Sequence, residues 1–169
     1  MRPNPKFPYL DYDGVLPFAH RGGNRYAPEN TMAAFADAAQ QGFRFLETDV
    51  HASRDGAVFA FHDDSLLRIT GEDIAISTLD AADIDTITVA GDHAIPRMEE
   101  LLEAFPDCRF NIDAKAWPVV EPLADLIRAH AVDARICIGA FSDERILKVC
   151  QLVGRPLCHS IGPREASRF

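Results

Sequence analysis

The sequence has no apolar run approaching the ~20 residues needed to cross a bilayer as a helix. Its opening stretch, MRPNPKFPYLDYDG, also lacks the apolar core of a secretory leader. A cytoplasmic location is the resulting expectation. Positive charge is scarce as well: 17 Lys and Arg stand against 26 Asp and Glu, for a formal net charge of -9. That balance excludes a generic binder of nucleic acid or anionic membranes, which needs basic patches to displace counterions. An anionic substrate would need local positive charge or a metal ion. The four cysteines (Cys108, Cys137, Cys150, Cys158) show no C-x-x-C spacing, which excludes a zinc ribbon and leaves buried free thiols. Internal repeats and linker-like segments are absent too. What remains is 169 residues, 47% hydrophobic and 25% charged, enough for one globular domain with a sizeable core.

The most informative stretch runs from Phe43 to Asp64, FRFLETDVHASRDGAVFAFHDD. It reads as a strand ending in two carboxylates, a tight turn at Asp55-Gly56 and a second strand ending in His62-Asp63. Strand side chains alternate between faces, so Phe45, Glu47 and Asp49 share one side and Leu46, Thr48 and Val50 the other. Two like charges so close resist ionising together unless a cation or donors compensate them. A hard divalent cation is one such compensation. The same alternation puts Val58, Ala60 and His62 on one face, which brings an imidazole beside the acids.

Around that stretch the chain alternates strand and helix. Residues 1–15 form an irregular, proline-containing arm; residues 16–169 form the domain. A short strand, Leu16 to Ala19, stops at His20-Arg21-Gly22-Gly23, a turn where backbone can approach a ligand. A helix follows through MAAFADAAQQ to Gly42, with Glu29 and Asn30 expected to begin it by capping free N–H groups. Leu66 to Gly71 reads as a connecting turn and Thr78 to Ile87 as a short acidic helix, after which a loop passes through Gly91 and Pro96. MEELLEAF has one apolar helical face. Then come a strand (109–115), a helix (119–131), a strand (135–141), a helix (143–153) and a strand (157–160). Alternating units imply a parallel sheet with crossover helices.

The chemically suggestive residues (His20, Arg21, Glu47, Asp49, His62, Asp113 and Lys115) fall at the C-terminal ends of several strands. A (β/α)8 TIM-type barrel produces that distribution, whereas an open sheet concentrates its site at one switch point. Six strands of the eight are counted before the chain ends, so the barrel is expected to be incomplete, with two further units needed to close it. The open edges make oligomerisation an expectation as well. His51, His93, His130 and His159 are set aside. His51 continues the alternation of Glu47 and Asp49 but lies past the expected strand end.

The run AHRGGNRYAPENTMAAFADAAQQGFRFLETDVHASRDGAVFAFHDDSLLRITG resembles the opening of the glycerophosphodiester phosphodiesterase family, metal-dependent barrel enzymes. It has the HRG turn, the PENT helix start, the E-x-D strand and the HD strand end in order. IPRMEELLEAFPDCRFNIDAK is similar to the family's next helix and strand. The resemblance implies that His20 and His62 are catalytic, that Glu47 and Asp49 bind the metal, and that Arg21 and Lys115 sit near the phosphate. Asp113 stands where the family commonly has Glu, one methylene longer, as third ligand. The family's later strands, which carry an aromatic near the pocket, have no counterpart here.

The implied function is hydrolysis of glycerophosphodiesters to glycerol 3-phosphate and an alcohol, using Mg²⁺ or Ca²⁺. Such hydrolysis needs charge stabilisation on phosphoryl oxygens, a base for the attacking oxygen and an acid for the leaving one. A metal, two histidines and two cations supply all three, because histidine titrates near neutrality and Arg and Lys match phosphate oxygens. Cleavage of lysophospholipids and a non-catalytic barrel fragment that binds metal or a partner chain are the alternatives.

Overall fold

The structure, a computed structural model, describes residues 7–167. In chain order its elements are β1 (Phe18–Ala19), α1 (Met32–Gln40), β2 (Phe45–Ala52), β3 (Val58–Ala60), α2 (Leu67–Thr70), α3 (Ala81–Ile84), β4 (Thr88–Val89), β5 (His93–Ala94), α4 (Met98–Ala104), β6 (Arg109–Ala114), α5 (Val120–His130), β7 (Ile136–Gly139), α6 (Asp143–Val153), β8 (Cys158–His159) and α7 (Pro163–Ala166). Short 3₁₀ turns link several of them. No described helix is long and apolar enough to cross a membrane.

The main sheet has the order β1-β2-β6-β7-β8, with every neighbouring pair parallel. β3 is the sixth strand and pairs antiparallel with the end of β2. The fold is therefore α/β, an incomplete barrel with crossover helices. The expected count of six sheet strands is met, but the orientation of β3 changes the arithmetic. Five strands act as parallel staves, so closing an eight-stranded barrel takes three further units rather than two.

Helix spacing explains how the crossovers pack. α1 buries Ala34, Phe35 and Ala38; α5 buries Val120, Leu123, Ala124 and Ile127; α6 buries Ile146, Val149 and Val153. Each set repeats at three or four residues and so forms one stripe. Ser142 caps α6 by accepting from Arg145 N–H at 3.3 Å, and Gly154 ends it at φ 69°. These stripes meet Leu46, Val50, Phe110, Ile112, Ile136 and Ile138 from the outer sheet face in one continuous core. Burying each such side chain stabilises the fold by roughly 1.5–3 kcal/mol.

The inner face of the sheet is layered. Register places Glu47 beside Asn111 and Cys137, with Cys158 next along, and Asp49 beside Asp113 and Gly139. At the strand starts Phe45, Cys137 and Cys158 pack with Tyr9 into a small apolar floor. Tyr9 comes from the N-terminal arm, and its ring meets Phe45 edge-on at 5.6 Å. Thus the expected irregular arm, where described, closes the lower end of the interior. All four thiols are free; three are buried and Cys150 is half-buried.

Between β2 and α4 the chain builds a small lobe with its own apolar cluster of Phe59, Phe61, Leu66, Ile76, Ala81, Ile84 and Ile95. The expected turn at Leu66–Gly71 contains helix α2, closed by Gly71 at φ 81°. The acidic helix is confined to α3, and the expected loop contains the β4–β5 hairpin. The turn joining β2 to β3 is docked on this lobe. Arg54 pairs with Asp80, its Nε donating at 2.8 Å, and Asp55 Oδ1 accepts from Ala81 N–H at 2.9 Å.

Candidate active site

The site lies where the staves end. β2 runs from the apolar floor upward, so Glu47 and Asp49 emerge on the inner face opposite Asn111 and Asp113 of β6. Asp49 is buried and fully engaged. Lys115 Nζ lies 2.8 Å from its Oδ1, Asn30 Nδ2 donates to Oδ2 at 3.2 Å, and Arg21 Nε lies 3.0 Å from the same oxygen without being aligned as a hydrogen bond. Lys115 Nζ also donates to Asp113 Oδ2 at 2.9 Å. The ammonium thus bridges two of the three predicted ligands. Burial pulls its pKa down, and the bonds to Asp49 and Asp113 outweigh this, leaving it raised.

The turn after β1 is shaped by three successive residues with positive φ: Arg21 (54°), Gly22 (72°) and Gly23 (88°). A Cβ on Gly22 would sit 2.9 Å from both the Phe35 ring and the Phe35 backbone nitrogen, so only glycine lets the turn lie this close to α1. Arg21 tolerates its left-handed backbone because both its peptide groups are held. Its N–H donates to Glu47 Oε2 at 2.9 Å and its carbonyl accepts from Asn30 N–H at 2.8 Å. Its guanidinium donates to Glu29 through Nη1 and faces Asp49 through Nε. Both cations expected at the phosphate are therefore paired with carboxylates here.

Glu47 carries the strongest electrostatic tension. Burial, then the Asp49 carboxylate, push its pKa up to about 7; the Arg21 N–H opposes this and Asp113 adds to it. Asp113 Oδ1 and Asn111 Oδ1 are buried with no hydrogen-bond partner. All three residues line one cleft of about 320 Å³ with Gly139, Phe141 and Ser160. Phe141 is 82% exposed, and its ring centroid lies 5.7 Å from Lys115 Nζ. The loop after β7 thereby supplies an aromatic beside the pocket, which sequence reasoning did not foresee.

The two histidines come from different loops, and the register sets Val58 and Ala60 beside Ala52 and Val50 on the outer face, so strand alternation does not carry His62 to the side of the acids as expected. His20 follows β1, is 70% exposed at its side chain and places Nε2 3.8 Å from Glu47 Oε2. His62 follows β3, where the Phe61 N–H donates to the Asp49 carbonyl at 2.9 Å and sets the height of the chain. Its Nδ1 lies 2.7 Å from Asp63 Oδ1. Burial raises Asp63, and the bonds from Arg68 and His62 outweigh it, leaving its pKa lowered.

Three neighbours were misjudged from sequence. The cap of α1 is Thr31, whose hydroxyl oxygen accepts from Ala34 N–H at 3.2 Å, not Glu29 or Asn30. Asn30 instead orients Asp49 while accepting from the Thr48 hydroxyl at 2.9 Å. His51 lies inside β2 rather than past its end; it is buried, which lowers its pKa, and its Nε2 is 3.4 Å from the His62 carbonyl.

Among the described residues no three His, Cys, Asp or Glu side chains converge into a ready metal cage. Glu47, Asp49 and Asp113 do share one end of the sheet, but Lys115 occupies the space between the two aspartates. The remaining donors fit a hard cation all the same. They are oxygens, burial and then its like-charged neighbours raise the pKa of the Glu47 carboxyl to about 7, and Asp113 Oδ1 is buried without a partner.

The family model for the glycerophosphoryl diester phosphodiesterase family matches residues 20–151. A probable glycerophosphodiester phosphodiesterase 2 from Mycobacterium tuberculosis is 37% identical over 159 residues, covering 94% of this chain and 60% of that protein. Human lysophospholipase D GDPD1 is 36% identical over 127 residues, covering 66% and 40% respectively. A crystal structure of a glycerophosphodiester phosphodiesterase from Agrobacterium tumefaciens superimposes with a TM-score of 0.73 at 30% identity, covering 81% of this chain and 62% of that one. The chain thus spans about 40 to 60% of the length of these two curated relatives. With more than half of its residues inside the family model, the chain belongs to the glycerophosphoryl diester phosphodiesterase family.

Proposed function

We propose that this chain hydrolyses glycerophosphodiesters to glycerol 3-phosphate and an alcohol, with His20 as general base and His62 as general acid. One observation carries the reading: three carboxylates gather at the ends of parallel strands with the His20 imidazole 3.8 Å from Glu47, and the segment carrying His62 is tied to the Asp49 backbone through the Phe61 N–H. His62 gives its Nδ1 to Asp63, which leaves Nε2 for proton exchange with a leaving oxygen. His20 stands in solvent beside Glu47, where it can take a proton from an attacking oxygen. Arg21 and Lys115 become phosphate ligands when substrate draws them from their carboxylate partners.

A Mg²⁺ or Ca²⁺ ion belongs to this proposal, and Glu47, Asp49 and Asp113 would hold it. When bound, it stabilises negative charge on the phosphoryl oxygens. The cytoplasm is the proposed location, testable by cell fractionation. Resemblance to the human lysophospholipase D supports lysophospholipids as a second substrate class.

The test is release of glycerol 3-phosphate from glycerophosphocholine, and of lysophosphatidic acid from lysophosphatidylcholine, with Mg²⁺, Ca²⁺ or EDTA. His20→Ala and His62→Ala are expected to lower turnover by about 10² to 10⁴ while cation affinity measured by calorimetry is kept. Either variant retaining near-normal turnover removes that histidine from the mechanism.

A further inference from the structure

Five ionisable side chains join the loop after β3 to the loop after β1 in an unbroken run. His62 Nδ1 lies 2.7 Å from Asp63 Oδ1, and Asp63 Oδ2 accepts from Arg68 Nε at 2.6 Å. Arg68 Nη2 donates across to Glu29 Oε1 at 3.0 Å. Glu29 accepts in turn from Arg21 Nη1, which lies 3.1 Å from each of its oxygens. Arg21 closes the run against Asp49. Beyond the imidazole, acid and base alternate along the whole run.

Exposed ion pairs between two flexible side chains contribute little, because nothing else fixes either partner. Arg68 is 55% exposed, so it needs a better reason to matter. The reason is that it serves two carboxylates with two edges of one planar group. Its Nε meets an acid five residues away and its Nη2 an acid 39 residues away. A rigid fork satisfies both only when the two loops hold one relative position. Both acids are also three-quarters buried, at 25% side-chain exposure, which limits their freedom.

We propose that Glu29 and Arg68 are positioning residues. Through Asp63 they fix the neutral His62 imidazole with its proton on Nδ1, and through Arg21 they hold the guanidinium on Asp49, so that the two histidine-bearing loops are set as one unit. Neither residue touches reacting atoms. The catalytic value of this arrangement rests on the acid role proposed for His62, whereas the tautomer itself does not: with Nδ1–H held by Asp63, the proton taken up on charging sits on Nε2 and is the one given to the leaving oxygen, which returns the ring to its neutral Nδ1–H form. An imidazole without a fixed partner populates both tautomers; one held by an oriented carboxylate populates one. Arg68 orients the Asp63 carboxylate, and Glu29 stops Arg68 from swinging into solvent.

The experiment is two-bond ¹H–¹⁵N correlation of the histidine rings in the 169-residue chain, at a pH above the imidazole range, with His62→Gln identifying the signal. The wild type is expected to show a single Nδ1–H tautomer for His62. Arg68→Gln is expected to show a mixture, Glu29→Gln a smaller change of the same kind, and Arg68→Lys partial recovery. In an active enzyme Arg68→Gln lowers kcat by about tenfold with KM nearly unchanged, the lower end of what an outer-sphere partner of a functional histidine contributes. An unchanged His62 tautomer in a folded Arg68→Gln chain overturns the proposal, as does an Nε2–H tautomer in the wild type. Should Arg68→Gln fail to fold, Glu29→Gln decides by the same criterion. Should the wild type prove inactive, the functional reading fails while the tautomer measurement still decides this one.

Discussion

Replacing Glu47 by Gln is expected to stabilise the metal-free protein above neutral pH. The folded chain holds this carboxyl near pKa 7, against an ordinary 4.5. Below 4.5 it is protonated in both folded and unfolded states and has no effect. Between 4.5 and 7 the folded state keeps a proton that the unfolded state has lost, so stability falls as pH rises; above 7 both states are ionised and the full cost stands. At about 1.4 kcal/mol per pH unit, that gap amounts to about 3 kcal/mol. Solvent screening takes little from it, because the side chain is only 13% exposed. Glutamine keeps the shape and an acceptor for the Arg21 N–H but never ionises. The assay is urea unfolding of both proteins in EDTA from pH 4.5 to 8, read by far-ultraviolet circular dichroism. The difference between the two curves isolates Glu47, and it is expected to grow by about 3 kcal/mol, a midpoint shift on the order of 1–3 M urea. Adding Ca²⁺ at pH 8 is expected to stabilise the wild type more than the variant. A difference curve that stays flat across this range would show that the cluster leaves Glu47 as free to ionise as an exposed glutamate, and the electrostatic picture of the site would fall.

Gly22→Ala is expected to lower stability by about 2–4 kcal/mol, from left-handed backbone strain plus a contact with Phe35 that leaves no room for a methyl; an unchanged melting temperature would mean that the turn is not packed on α1. Lys115→Met removes the cation shared by Asp49 and Asp113, so thermal unfolding in EDTA should register a loss of about 2–4 kcal/mol, with recovery on adding Ca²⁺. A chain extended by three strand-and-helix units is expected to sediment as a monomer and to hydrolyse glycerophosphocholine far faster than the 169-residue chain, whose β1 and β8 edges are unpaired in the described sheet. A monomeric and equally active shorter chain would refute the open-edge argument.

The helices that carry the barrel were legible because their apolar stripes and caps are local. α4, α5 and α6 fall where three-and-four spacing puts them. β2 was legible for the opposite reason, since alternation put Glu47 and Asp49 on one face and the register sets them opposite Asn111 and Asp113 of β6. The lobe was less legible because strands of two residues, Thr88–Val89 and His93–Ala94, are too short to show any period. His51 was placed outside β2 because the strand's length is set by its antiparallel partner, which pairs it out to Ala52. Glu29, Asn30 and Arg68 were missed because their roles exist only through contacts 8 to 39 residues away in sequence. For Thr31 a readable signal was present: a threonine directly before the first residue of the apolar helix pattern.

The antiparallel β3 gives the lobe a task remote from any chemistry. β2 overshoots the carboxylates, turns, and comes back down three rungs, Ala52 with Val58, His51 with Phe59 and Val50 with Ala60, before releasing His62. The ladder works as a caliper whose setting is the register. Slipping it by one residue would shift the start of the His62 segment by about 3.4 Å and turn Phe59 away from the face it shares with His51. What locks the caliper is the grip of Asp80 on Arg54 and of the Ala81 amide on Asp55. The small lobe, without lending a side chain to the carboxylate cluster, therefore decides where the chain that carries the second histidine leaves the sheet.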